Sequence, residues 1–362
     1  MSRSFFAVAF QWIIREDTVP YDLYINSSAL EEHERFVRIF PEGGYLSLED
    51  LFHFKEKYGQ FYILEDQRPR YLESLCKLQG KSTAEKTTVL KNSAIQYLGN
   101  LFNQKQTLSV EALSACITDS RAVITGFVGV LKDYNVEKLQ ELLGGLSFHD
   151  FYTYDHSINV SMYSILIYRL VHPDATEEQL INAGMSGMLH DIGKIQVPVT
   201  IINNSGKLNE ADYLVIKKHP KFGYDLLNQN GMETVAHVDL NLVSRVVHEH
   251  HENFDGSGYP KQLSGEQIHE LSRIVSIADF FDAVTSQRSY QSPLSTQDAL
   301  SLMKKTRGKK IDPGLFDRFV SHMSDYKKDH DCKINIGRDF DPCQPSPLYR
   351  IVPDYGKIVL KK

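Results

Sequence analysis

The sequence predicts a helical bundle preceded by a small α/β domain and followed by a short β-rich tail. Three observations carry that expectation. Residues 4–26 are rich in β-branched and aromatic side chains, the composition of strands. Apolar positions at i, i+3, i+4 spacing run from Lys81 to about Gly145 and again from His149 to about Tyr326, the period of amphipathic helices. Residues 327–362 change character, with Asp-Pro and Pro-Ser-Pro steps before LYRIVPDYGKIVLKK, which reads as a hairpin turning near Asp354–Gly356.

Taken in order, SFFAVAFQWII and PYDLYIN read as two strands. SLEDLFHFKEKY, from Ser47 to Tyr58, has helical periodicity, with Ser47 placed to cap it and acidic residues in the first turn. QFYILED reads as a further strand and RPRYLESLCKL as a short helix. Residues 1–80 therefore form a small α/β domain without a nucleotide loop or metal cluster in its sequence, and a sensory or regulatory role is expected from its position alone. Residues 81–145 read as a helical linker: its helices could join an input to an output domain, form a homodimer stalk, or simply pack on the next domain. Helices are then expected over Tyr152–Val171, Glu177–His190, Glu210–Leu227, Leu240–His251, Ser264–Ser286, Thr296–Lys305 and Asp312–His322, within a domain spanning 146–326.

Bulk properties narrow the function. A chain of 362 residues with 42% hydrophobic and 24% charged residues fits two or three globular domains. A formal charge of -6 and a pI near 6.2 give no basis for a DNA or RNA duplex partner. The four cysteines, Cys76, Cys116, Cys332 and Cys343, form no CxxC pair, which argues against a zinc knuckle or a disulfide framework and fits a reducing compartment. The apolar run near the N-terminus is interrupted by Gln11 and lacks a small-residue cleavage site, so it reads as a strand, with no membrane partner and a cytoplasmic location expected.

Histidine is the unusual residue. There are 14, many of them between His149 and His269. In GMLHDIGKIQVP, His190 and Asp191 close an apolar helix, where a buried carboxylate is costly without a counter-charge or metal. His156, His219, the adjacent His250 and His251, and Asp279 each lie on another expected helix or helix end with an apolar inner face. A bundle that turns those faces inward would gather five imidazoles and two carboxylates, a donor set suited to iron, manganese, zinc or nickel. Singly, a His on a helix is an ordinary packed or surface residue. Asp279, mid-helix in an apolar run, is harder to explain that way.

The segments MLHDIGKIQVP, HHENFDGSGYP and IADFFDAVTSQRSY, in this order, resemble the HD-GYP family, a subset of HD metal-dependent phosphohydrolases; the resemblance covers residues 149 to about 320. It implies an all-helical HD-GYP bundle around two or three metals and hydrolysis of cyclic di-GMP, a bacterial second messenger. By motif, it implies metal ligation by His156, His190, Asp191, His219, His250, His251 and Asp279, with Asp191 bridging, and an in-line attack on phosphorus by a bridging hydroxide. Lys194 is expected to contact a phosphoryl oxygen or protonate the leaving oxygen, and Arg288 and Tyr259 to meet substrate. Asp282 is expected to contact substrate or stand behind a ligand. The Gly258-Tyr259-Pro260 loop implies a signalling-protein partner. Two positions depart from the pattern. Tyr152 stands where three-metal members carry a Glu, which implies two divalent ions, iron or manganese ahead of zinc or nickel, and a product that stops mainly at pGpG. Gln291 replaces a basic residue beyond Arg288. Hydrolysis of cyclic GMP-AMP or another phosphoester, and a non-catalytic cyclic-dinucleotide receptor, are the alternatives.

Overall fold

The computed structural model describes residues 4–28, 35–102, 109–145, 152–202, 208–232, 238–286 and 294–323. The tail expected over 327–362, together with Arg288 and Gln291, lies outside them. The chain divides into two compact units, residues 1–101 with 111–133, and residues 102–110 with 134–362.

The first unit carries β1 (Phe5–Val8), β2 (Asp17–Thr18), β3 (Leu23–Asn26), β4 (Phe36–Phe40), β5 (Tyr45–Leu46) and β6 (Phe61–Leu64). β1, β6, β3 and β4 lie side by side in an antiparallel sheet, and β2 pairs with β5. Two-residue alternation explains which face is covered: Phe61 and Ile63 are fully buried while Tyr62 and Leu64 are partly exposed. Phe10 packs edge-on against Phe61, and Tyr21 against Tyr71, which makes much of this core aromatic. α1 (Leu48–Lys57) starts where its cap was expected. Ser47 Oγ accepts from the Asp50 amide at 3.0 Å, and Asp50 accepts from the Ser47 amide at 3.2 Å, a reciprocal arrangement worth about 1 kcal/mol.

α2 (Arg68–Ser74), α3 (Thr83–Phe102) and α4 (Val110–Val130) follow. On α4, Leu113, Cys116, Ile117, Ser120, Val123, Ile124 and Phe127 are buried, one stripe at helical spacing. α4 is long and apolar enough to cross a membrane by length and composition, and half of its apolar window is buried.

The second unit is helical among its described residues: α5 (Val136–Gly145), α6 (Tyr152–Val171), α7 (Glu177–Leu189), α8 (Val199–Ile202), α9 (Glu210–Ile216), α10 (His219–Leu227), α11 (Leu240–Glu249), α12 (Glu270–Thr285), α13 (Thr296–Thr306) and α14 (Pro313–Ser321). A 3-10 turn over Ile192–Gln196 links α7 to α8. α7 is the central element: every residue from Leu180 to Leu189 is buried, and it packs on α6, α11 and α12. The single helix expected over Glu210–Leu227 is two. Pro220 has no N–H to donate back, so the helix ends at Ile216 and restarts at His219 with proline in its first turn. α12 starts six residues later than expected, because Gly265 takes a φ of 55° within a 3-10 turn that Ser264 and Gln267 cap.

Candidate metal centre

The ends of these helices deliver the ionisable groups. His156 lies on α6, and Asp279 lies within α12. His190 caps α7 and Asp191 follows it. His219 opens α10 behind the proline break, and His250 caps α11 with His251 beyond it. His250 keeps right-handed helical dihedrals at the end of α11, and both adjacent imidazoles reach the centre. All seven side chains come together in two sets, Asp191 with His219, His250 and His251, and His156 with His190 and Asp279. Each is at most 8% exposed.

The histidines are held in defined tautomers. His190 Nδ1 donates to the Gly187 carbonyl at 2.7 Å, His219 Nδ1 to Ile216 at 2.8 Å, and His250 Nδ1 to Val247 at 2.8 Å. A carbonyl can only accept, so each Nδ1 carries a hydrogen, and in its neutral form each ring turns an Nε2 lone pair to the centre. His156 Nδ1 instead faces Asp282 at 2.7 Å, and its Nε2 faces Asp279 at 3.1 Å. Backing a ligand histidine with a carboxylate or a carbonyl is the usual way a metal site fixes ring orientation.

Burial sets much of the electrostatics. It pushes His219 down, and His250 and His251 well down, keeping them neutral. Burial alone would raise the Asp191 carboxyl, but the Lys194 ammonium beside it outweighs burial and holds Asp191 well below the ordinary carboxylate range. Burial also opposes a charge on His156, yet the carboxylates of Asp279 and Asp282 lift its pKa to about 9.

Divalent ions fit this donor set. His219 Nε2 and His250 Nε2 lie 3.2 Å apart, so two lone pairs point at each other in the neutral tautomers. Asp191 Oδ1 lies 3.2 Å from one and 3.9 Å from the other. Asp191 Oδ1 and His190 Nε2 are buried and make no hydrogen bond among the described residues. Buried acceptors directed at one another without a proton are costly, and a cation between them relieves that cost.

A family profile described as HD domain matches residues 162–315. That stretch belongs to the HD-domain family. A cyclic di-GMP phosphodiesterase, PA4108 of Pseudomonas aeruginosa, is 35% identical to the chain over 190 residues, 52% of this chain and 44% of the relative. The cyclic di-GMP phosphodiesterase response regulator RpfG of Xanthomonas campestris pv. campestris is 39% identical over 147 residues, 40% of this chain and 37% of the relative. The 3'3'-cGAMP-specific phosphodiesterase 3 of Vibrio cholerae is 35% identical over 167 residues, 46% of this chain and 34% of the relative. The chain thus spans less than half the length of each of these relatives.

Within the HD domain, Lys194 on the 3-10 turn ion-pairs with Asp191 Oδ2 and is buried. Asp282 is 1% exposed, and its oxygens accept from His156 Nδ1, from Asn159 Nδ2 at 3.0 Å and from Ser286 Oγ at 2.7 Å. Of its two expected roles, this geometry supports orienting His156 over touching substrate. The Tyr259 ring stacks on His251, centroids 4.9 Å apart. Two residues escape the sequence reading. Asn159 lies one turn after His156 on the same helix, a spacing that could have flagged it. Glu252 accepts from the amides of Lys261 at 2.6 Å and Leu263 at 3.1 Å, and only the folded loop shows that. Gly193 explains why His219 can approach. A Cβ there would lie 2.0 Å from the His219 carbonyl oxygen and 2.4 Å from the Gly223 nitrogen, so only glycine lets the turn and α10 meet.

Proposed function

We propose that the chain is a metal-dependent phosphodiesterase that opens cyclic di-GMP, mainly to pGpG, at a binuclear centre built from the seven converging residues. The observation that carries this reading is the set of mutually facing acceptors, His219 and His250 Nε2 at 3.2 Å with Asp191 beside them. Two divalent ions, iron or manganese ahead of zinc or nickel, would supply Lewis acidity toward the phosphoryl oxygens and a hydroxide bridging the pair. Asp191 is suited to serve both sets, with Oδ2 3.2 Å from His190 Nε2 and Oδ1 3.2 Å from His219 Nε2. In this reading Lys194, paired with the same carboxylate, binds a phosphoryl oxygen or gives its proton to the leaving oxygen as the P–O bond breaks. Arg288 and Tyr259 complete the substrate contacts in this reading.

The names of the Pseudomonas and Xanthomonas relatives support cyclic di-GMP as substrate. The Vibrio relative supports a second reading, 3'3'-cGAMP at the same centre. The proposal also takes in a cytoplasmic location without a membrane or nucleic-acid duplex partner, self-association through residues 81–145, and a signalling partner at the Gly258-Tyr259-Pro260 loop. The test is product analysis of Mn- or Fe-reconstituted protein given each dinucleotide separately under anaerobic conditions. Release of pGpG from cyclic di-GMP is expected. Turnover of 3'3'-cGAMP alone would favour the second reading, and binding without turnover of either would favour a receptor.

A further inference from the structure

His251 is oriented differently from the other imidazoles. His190, His219 and His250 are fixed by Nδ1 bonds to carbonyls three residues earlier, and His156 by Asp282. His251 makes no such bond among the described residues. What touches its ring from outside the centre is Tyr259, stacked with centroids 4.9 Å apart and planes 23° from parallel. The Tyr259 amide also donates to the His251 carbonyl at 3.2 Å.

The loop that carries Tyr259 is tied to the chain just after His251. A Cβ on Gly258 would fall 2.2 Å from the Asn253 nitrogen and 2.5 Å from the Glu252 Cα, so the loop returns onto that backbone with no room to spare. The Glu252 carboxylate closes the loop through the amides of Lys261 and Leu263. From the end of α9, Lys217 brings its Nζ over the Tyr259 ring, 4.6 Å from the centroid, and within 5.6 Å of the Tyr213 centroid. A cation at this distance over an aromatic face is attracted to it.

We infer that Tyr259 and Lys217 are positioning residues for His251: the tyrosine ring sets the plane of the imidazole, and the lysine cation holds the tyrosine ring. This rests on the reading of His251 as a metal ligand. It assigns the aromatic ring of the Gly258-Tyr259-Pro260 loop to ligand geometry, a task that needs the ring and not the hydroxyl.

The experiment is calorimetric titration of Mn²⁺ into metal-stripped full-length protein, with a thermal melt of each apo variant. Tyr259→Phe keeps the ring and should bind Mn²⁺ within about twofold of the parent, while Tyr259→Leu should bind roughly three- to thirtyfold more weakly. Lys217→Met, a change at a partly exposed side chain, should weaken binding about two- to threefold, with Lys217→Arg restoring it. Parent-like affinity in Tyr259→Leu, or an equal loss in Tyr259→Phe, overturns the inference. So does parent-like affinity in Lys217→Met, which keeps the test decisive if Tyr259→Leu fails to fold. His251→Ala separates the two layers: if it retains parent Mn²⁺ affinity, the ligand reading itself fails, whereas a loss there with none in Tyr259→Leu defeats only the positioning role.

Discussion

In the second unit, five histidines and two aspartates, none more than 8% exposed, converge from α6, α7, α10, α11 and α12, whereas the first unit buries Tyr21, Phe61, Leu46 and Leu72 and relies on aromatic packing and a capped helix. The two units therefore treat ionisable groups differently. In the second, His219, His250 and Asp191 face one another as acceptors, an arrangement that suits a bound cation. In the first, among the described residues, the half-buried Asp119 stands alone in having a carboxyl pushed upward, to about 6, mainly by burial, which the Arg68 guanidinium only partly opposes. The contrast separates a unit that gathers buried ionisable groups at one centre from one that packs mainly aromatic and aliphatic side chains.

The most severe challenge to that contrast is to remove its centre. His190→Ala and Asp191→Ala should each lose bound metal and lower kcat/KM by about 10²–10³-fold or more, about 3–4 kcal/mol of barrier; full metal content in either variant would refute the ligand assignment. Asp282→Ala removes the carboxylate behind His156 and should weaken metal binding by about 10- to 100-fold, read by titration of the stripped protein. Gly193→Ala forces a Cβ against the His219 carbonyl and should destabilise the second unit by about 1–3 kcal/mol. Denaturant melts followed by hydrogen exchange across residues 152–323 would show that loss, and an unchanged melt would mean that the turn and α10 are not in contact.

A milder change is expected in the first unit. Asp119 has a folded pKa above that of an unfolded aspartate, so its contribution to stability is fully present below about pH 4 and is lost as pH rises through about 6. Asp119→Asn should therefore stabilise the protein at pH 7 by about 1–2 kcal/mol, after allowance for partial exposure, and leave it unchanged near pH 4. Equal stabilisation at both pH values would show that burial of the charge is not the cause.

Of the seven converging residues, Asp279 within its apolar run and the His190-Asp191 pair at the end of a buried helix stood out because each is costly without a partner; His156, His219, His250 and His251, ordinary when taken singly, were picked out by their place on helices with apolar inner faces and by the resemblance. The helices were legible for the same reason, since α6 and α7 carry long apolar faces. β4 was not, because its burial follows no two-residue alternation and Val37 is 40% exposed. β5 is two residues long and defined only by its pairing with β2. Glu252 accepts from amides 9 and 11 positions away, and Ser286 donates to Asp282, a carboxylate whose role the fold alone reveals. No periodicity records such contacts.

The chemistry of the second unit turns on whether the facing imidazoles and carboxylates hold a pair of cations. That is read most simply from the metal-to-protein ratio of anaerobically purified protein, by elemental analysis, beside His190→Ala and a mock purification. About two divalent ions per chain, falling in His190→Ala, is the outcome expected of a binuclear site. A ratio near zero in protein that still hydrolyses its dinucleotide would rule the pair out.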